Sequence, residues 1–193
     1  MKPRILIISP VTPYPVHHGA GNAIYGYLLA LREAFEMDFV GFCPVQFQQQ
    51  AQQGLNRLCR RALLFTAPPA RRLDAFSQTP FLFSNLQSGP MREAVDRLLE
   101  EESPDLVQVE YLGMAAYAER ACVPRIVRAH VQEWWHYYLN WRRARGWRAR
   151  LENLFWSLDS IRDRVECSSR KRSRGCRLSG FSTRSASMAY RSG

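Results

Sequence analysis

Acidic residues stop at Glu166, and the chain has no C-x-x-C, no phosphate-loop sequence and no long apolar run. Each absence removes a class of function. The formal charge of +10 falls largely on the last 27 residues, where Arg170, Lys171, Arg172, Arg174, Arg177, Arg184 and Arg191 meet no counter-charge. Residues 1–166 carry 20 basic and 17 acidic side chains, only +3, so the body has no nucleic-acid footprint of its own. Cys43, Cys59, Cys122, Cys167 and Cys176 form no metal-ligand spacing and are odd in number, which fits a reducing compartment with free, buried or inert thiols. The apolar run after Met1-Lys2-Pro3-Arg4 is too short for a signal peptide, and Pro10 ends it. Nothing approaches the ~18 apolar residues of a membrane span. A cytoplasmic protein, with at most peripheral contact at the inner face of a membrane, is the expectation.

At 46% hydrophobic residues the chain can bury a real core. Segments 4–8, 37–43, 105–109 and 125–130 read as short buried strands, with 62–66 a weaker candidate. Ile24, Leu28, Leu31 and Phe35 recur at helical spacing and predict a helix opening near Asn22. Ser88 and Pro90 form a cap and first-turn pair for a second helix, whose apolar face is Met91, Val95 and Leu98. Its end carries Glu100, Glu101 and Glu102 against the helix dipole and is expected to fray before Ser103-Pro104-Asp105 breaks into the next strand. The glutamine-rich stretch 46–60 reads as an exposed helix or loop. Alternating strands and helices imply an α/β fold, a Rossmann-like parallel sheet flanked by helices. Ligands of such sheets sit beyond the carboxyl ends of the strands, here 9–21, 110–113 and 130–133.

Residues 167–193 have eight serines, seven basic residues and three glycines, a composition expected to stay disordered. The break at Glu166 cuts short a helical pattern of Leu151, Leu154, Phe155, Leu158 and Ile161 without a stop signal. A shifted frame or truncated gene would leave such a junction, as would a natural basic tail. The expected division is a Rossmann-like domain over 1–166 and a basic tail over 167–193.

The first strand is followed by Ser9-Pro10-Val11-Thr12-Pro13-Tyr14-Pro15-Val16-His17-His18-Gly19-Ala20-Gly21. This is not the dinucleotide fingerprint: the glycines come ten residues late and Ile24 stands at the third position. Two readings of Gly19 and Gly21 remain, close backbone approach to an anionic or hydroxyl-rich ligand at a helix N-terminus, and a turn needing positive φ.

With its opening strand, this stretch resembles the start of glycosyltransferase family 4 enzymes of the GT-B fold. "PDLVQVEYLGMAAY" (104–117) agrees, and "PRIVRAHVQEWWHYYLNWRRAR" (124–145) is similar to the family's strand ending in His-Asn-x-Glu. The resemblance spans residues 3–160. It implies the N-terminal, acceptor-side half of a GT-B enzyme transferring a sugar from a nucleotide-sugar to a hydroxyl acceptor (glycan or lipid-linked), with retention and with neither metal nor cofactor. It further implies that Gly19 and Gly21 lie near the donor phosphates and acceptor, that Glu110 and Tyr111 line the acceptor cleft together with Glu133, and that His130 is catalytic, contacting the transferred sugar. Position 131 is Val where the family usually has Asn. The family's C-terminal domain, whose Glu-x7-Glu motif holds the donor, is missing, so the chain alone is expected to be inactive.

Plainer roles stand beside these. His130 could hydrogen-bond a neighbouring loop, Glu110 and Glu133 could be solvated, and Glu133 suits the first turn of a helix. His17 and His18 have no third ligand at metal spacing. Trp134, Trp135, Tyr137, Tyr138 and Trp141, followed by Arg142, Arg143, Arg145, Arg148 and Arg150, suit an amphipathic helix with a solvated basic face. They equally suit a non-catalytic module using 134–150 to bind anionic lipid, or less well nucleic acid.

Overall fold

The computed structural model describes residues 2–16, 19–69, 86–129 and 133–151, with 153, 154 and 158; for 133–136 it describes the backbone alone. His17, His18, His130 and the 167–193 tail therefore lie outside the described residues. Five strands, β1 (Arg4–Ser9), β2 (Glu36–Phe42), β3 (Arg61–Phe65), β4 (Leu106–Glu110) and β5 (Arg125–Arg128), form one sheet in the order β3-β2-β1-β4-β5. Every pairing is parallel. This is an α/β, Rossmann-like sheet, as the alternation of strands and helices requires. The weak candidate at 62–66 is an edge strand, where half-burial explains its mixed composition. β5 ends at Arg128, two residues short of the expected boundary.

Side chains of a strand alternate between faces, so an unbroken apolar run such as Ile5-Leu6-Ile7-Ile8 is stable only when both faces are covered. Ile5 and Ile7 pack with Ile24 and Leu28 of α1 (Gly19–Leu31) and with Leu55 of α2 (Gln48–Leu55). Leu6 and Ile8 pack on the other face with Met91, Val95 and Leu98 of α3 (Gly89–Glu101) and with Met114 and Tyr117 of a 3-10 segment, Leu112–Ala118. Burial of each such Ile or Leu contributes roughly 1.5–3 kcal/mol. The same three α3 residues form its expected apolar face, and Ser88 caps it by accepting the Met91 N–H at 3.4 Å.

Three expectations are corrected. α1 opens at Gly19, not near Asn22, and ends at Leu31; Phe35 lies beyond it and packs on the same cluster from the following turn. The glutamine-rich stretch contains α2, which is not simply exposed: Ala51, Gly54 and Leu55 are buried. The α3 terminus is held, not frayed. Glu102 accepts from Arg60 at 2.9 Å and Arg61 at 2.7 Å, and Arg4 lies 3.5 Å away. Arg60 also grips the buried Asp38 through two bonds, at 3.1 and 2.5 Å. Three arginines thus offset the repulsion between Glu102 and the helix C-terminus, joining α3 to the amino-terminal end of the sheet.

Candidate site at the carboxyl ends of the strands

The chain leaves β1 toward β2 on one side, while β4, its other neighbour, is followed by β5 in the opposite direction. At such a switch of strand order the flanking loops diverge and leave a crevice. The loop after β1 is tied to itself and to the helices. Ser9 Oγ donates to the Val11 carbonyl at 2.7 Å and accepts the Val11 N–H at 3.2 Å, and Thr12 Oγ1 donates to the Tyr14 carbonyl at 3.1 Å. The Tyr14 ring lies on Gly54 of α2, so closely that a Cβ there would sit 2.5 Å from Cγ and 2.9 Å from Cε1. Tyr25 of α1 is its other neighbour, with ring centroids 6.1 Å apart.

Gly19 and Gly21 both belong to α1, Gly19 exposed and Gly21 buried. Helical backbone has negative φ, so the positive-φ turn does not explain them. A Cβ at Gly19 would meet nothing within 4 Å, so packing inside the protein does not demand glycine there either.

β4 carries the polar centre. Gln108 is 1% exposed and Glu110 0%, two residues apart on one face of an otherwise apolar strand. Gln108 Nε2 donates to Glu110 Oε1 at 2.5 Å, and Gln108 Oε1 accepts from the Tyr27 hydroxyl of α1. Arg128, paired in register with Glu110, brings Nη1 to 3.5 Å from the same Oε1 and lays its guanidinium 4.7 Å from the Tyr27 ring centroid. Burial raises the Tyr27 pKa above its ordinary value, with the Gln108 hydrogen bond opposing the shift. The phenol is therefore a donor at neutral pH. Glu110 is not the solvated carboxylate of the plainer reading.

Tyr111, next in the chain, has φ 68°, a conformation costly for a residue with a Cβ. Its N–H donates to the Arg128 carbonyl at 3.0 Å and its own carbonyl accepts from Met114 N–H at 3.2 Å, so the 3-10 segment turns away directly above Glu110. Of the expected residues, Glu110 and Tyr111 adjoin this cluster. Glu133 is the first described residue of α4 (Glu133–Arg143), and only its backbone is described.

Tyr27, Gln108 and Arg128 were not among the sequence candidates. The signal for Gln108 was present: polar residues two apart in "LVQVE" cannot be buried without partners. The buried thiols are not reactive candidates. Burial pushes Cys59 up to about 12, with Asp38 adding to it, and burial also raises Cys43.

No family model matches the chain, and no curated protein matches it. Among solved structures it is similar to the C-terminal domain of a hydrogenase from Pyrococcus furiosus, seen in two structures. For residues 83–215 of that protein the identity is 21% and the TM-score 0.41, covering 65% of this chain and 91% of that one. For residues 78–226 the values are 22%, 0.41, 67% and 93%. Likeness at this level carries nothing about chemistry. No helix among the described residues is long and apolar enough to cross a membrane.

Proposed function

We propose that this domain forms the acceptor-side wall of a glycosyltransferase cleft and presents a hydroxyl acceptor at the carboxyl ends of β1, β4 and β5. The buried chain Tyr27–Gln108–Glu110–Arg128 carries this reading. It joins a phenol, an amide, a carboxylate and a guanidinium at the switch point, and its outer members are partly exposed. Sugar hydroxyls donate and accept at once, and a set containing both fixed donors and fixed acceptors matches them. The family resemblance supplies the reaction: His130 contacts the transferred sugar, Gly19 and Gly21 admit donor phosphates, and a second domain grips the nucleotide-sugar. With a lipid-linked acceptor, the domain works in the cytoplasm against the inner membrane face.

Glycan-array binding by the chain, followed by NMR titration with the best glycan, tests the reading. Perturbed resonances should cluster at Gln108, Glu110, Tyr111 and Arg128, and Glu110→Ala should abolish them. Absence of glycan binding, or shifts confined to another face, would refute it. Purified chain alone should transfer no sugar from UDP- or GDP-sugars, because the donor grip belongs to the second domain.

A further inference from the structure

We infer that the outer edge of β5 is a self-association surface, on which a second copy of this chain pairs antiparallel about Ile126. β5 is an edge strand of the described sheet, paired with β4 alone. Its ladder bonds fix which main-chain groups face which way. The Pro124 and Arg128 carbonyls accept from the Val107 and Tyr111 N–H groups, both at 3.0 Å. Even-numbered residues of β5 therefore bond to β4, and the N–H and C=O of Arg125 and Val127 point away from it, out of the edge. The side chains of Ile126 and Val127 stand on opposite faces and are 44% and 38% exposed. No other strand among the described residues carries an exposed large apolar side chain.

An open edge is ordinarily guarded by charge, proline or a covering element. The opposite edge, β3, is covered by α2: Gln52 Nε2 donates to the Ala62 carbonyl at 3.1 Å, and Gln48 Nε2 to Thr66 Oγ1 at 3.3 Å. At β5 the two charges turn back on their own chain. Arg125 Nη1 donates to the Ala118 and Glu119 carbonyls at 3.1 and 3.4 Å, and Arg128 Nη1 lies 3.5 Å from Glu110. Charge also suits the strand to its own copy and selects the register. A two-fold axis through Ile126 sets Arg125 against Val127 of the second copy and Arg128 against Pro124, so no arginine meets another. The outward groups of 125 and 127 then exchange N–H···O bonds in both directions, and Ile126 meets its counterpart at the close, non-hydrogen-bonded position. An axis between Ile126 and Val127 would instead oppose Arg125 to Arg128 and misalign the outward groups. A contact limited to one short strand is small beside the roughly 1,200–2,000 Å² of a stable interface, so the dimer is weak, micromolar or above.

Sedimentation velocity of the full chain, without any glycan, should show a monomer at about 2 µM that becomes a dimer toward about 200 µM. Ile126→Lys places a charge at the axis and should weaken the dimer roughly tenfold or more. Val127→Pro removes an outward N–H that β4 does not use, and should weaken it by a similar factor. Unchanged melting temperatures at low concentration verify that both variants fold. Single cysteines read the register, in a Cys122→Ser, Cys167→Ser, Cys176→Ser background where Cys43 and Cys59 stay buried. Ile126→Cys should give a disulfide-linked dimer under mild oxidation, because Cα atoms facing each other at that position are about 4.5 Å apart. Val127→Cys, which faces Arg125 rather than itself, should not. A chain that stays monomeric at about 200 µM would overturn the inference. Dimerisation untouched by Ile126→Lys and Val127→Pro would also overturn it and place the contact on another surface. Equal cross-linking at 126 and 127 would rule out the antiparallel register and the inference with it.

Discussion

Glu110 and Arg128 form a pair whose carboxylate is wholly buried while its arginine side chain is 34% exposed. Glu110 is wholly inside, so its carboxylate depends on Arg128, Gln108 and its other contacts to replace lost water. Removing one partner of such a pair costs more than removing both, because the remaining polar group stays buried without compensation. Arg128→Ala should therefore destabilise the domain by about 2–4 kcal/mol, while Glu110→Gln, which keeps the shape and an acceptor, should cost about half as much or less. Adding Glu110→Gln to the Arg128→Ala protein should restore part of the loss. Urea unfolding of the four proteins checks this double-mutant cycle, and strict additivity would contradict it. Tyr111 adds strain at the same place. A tyrosine at φ 68° persists only because the β5 carbonyl and the following 3-10 segment hold it.

At the scale of elements, two glycines in helices have opposite meanings. Gly54 of α2 is where the Tyr14 ring seats, and this contact pins the loop after β1. Gly54→Ala should cost about 1–3 kcal/mol by overpacking and should expose the 10–16 loop to proteolysis. Gly26 lies within α1 with nothing within 4 Å of an added Cβ. Gly26→Ala should instead stabilise by about 0.5–1 kcal/mol, because alanine loses less backbone entropy on folding. Thermal melts of the pair decide the matter; a stabilised Gly54→Ala would mean that Tyr14 can leave without loss.

For the whole molecule, the two ends of the sheet are differently built. The carboxyl end holds the polar cluster of Tyr27, Gln108, Glu110 and Arg128, and the amino end is tied by Arg4, Glu36, Asp38, Arg60, Arg61 and Glu102. Hydrogen bonds from Arg60 first and Arg61 second hold the Glu102 carboxyl below its ordinary value of 4.5. A carboxyl with a lower pKa folded than unfolded contributes stability above the unfolded value and loses it as pH falls through the folded one. Unfolding midpoints in urea should thus fall as pH drops below about 4.5, and Glu102→Gln should flatten that fall while lowering the midpoint at neutral pH. An equal acid slope in both proteins would place the titration elsewhere.

Fold class was legible in the chain because an unbroken apolar strand needs cover on both faces, and because helical spacing at 24 and 28 or at 91, 95 and 98 can serve one sheet face at a time. Ser88 and Pro90 marked a helix start for equally local reasons: the cap satisfies an N–H three residues away. Residues 110–113 could be singled out from the chain, because they stand at the carboxyl end of a predicted strand, where open α/β sheets bind ligands; Glu110 itself is the last residue of β4. Local rules failed where partners come from afar. The repulsion expected at Glu102 is correct for an isolated helix and is reversed by arginines 41 and 42 residues back in the chain. Tyr27 and Gln108 are 81 residues apart and meet only because α1 crosses the sheet beside β4. Local composition and spacing determined which segments are strands and helices; only the folded sheet decided which charges and polar groups face one another, because burial and pairing are properties of three-dimensional neighbours.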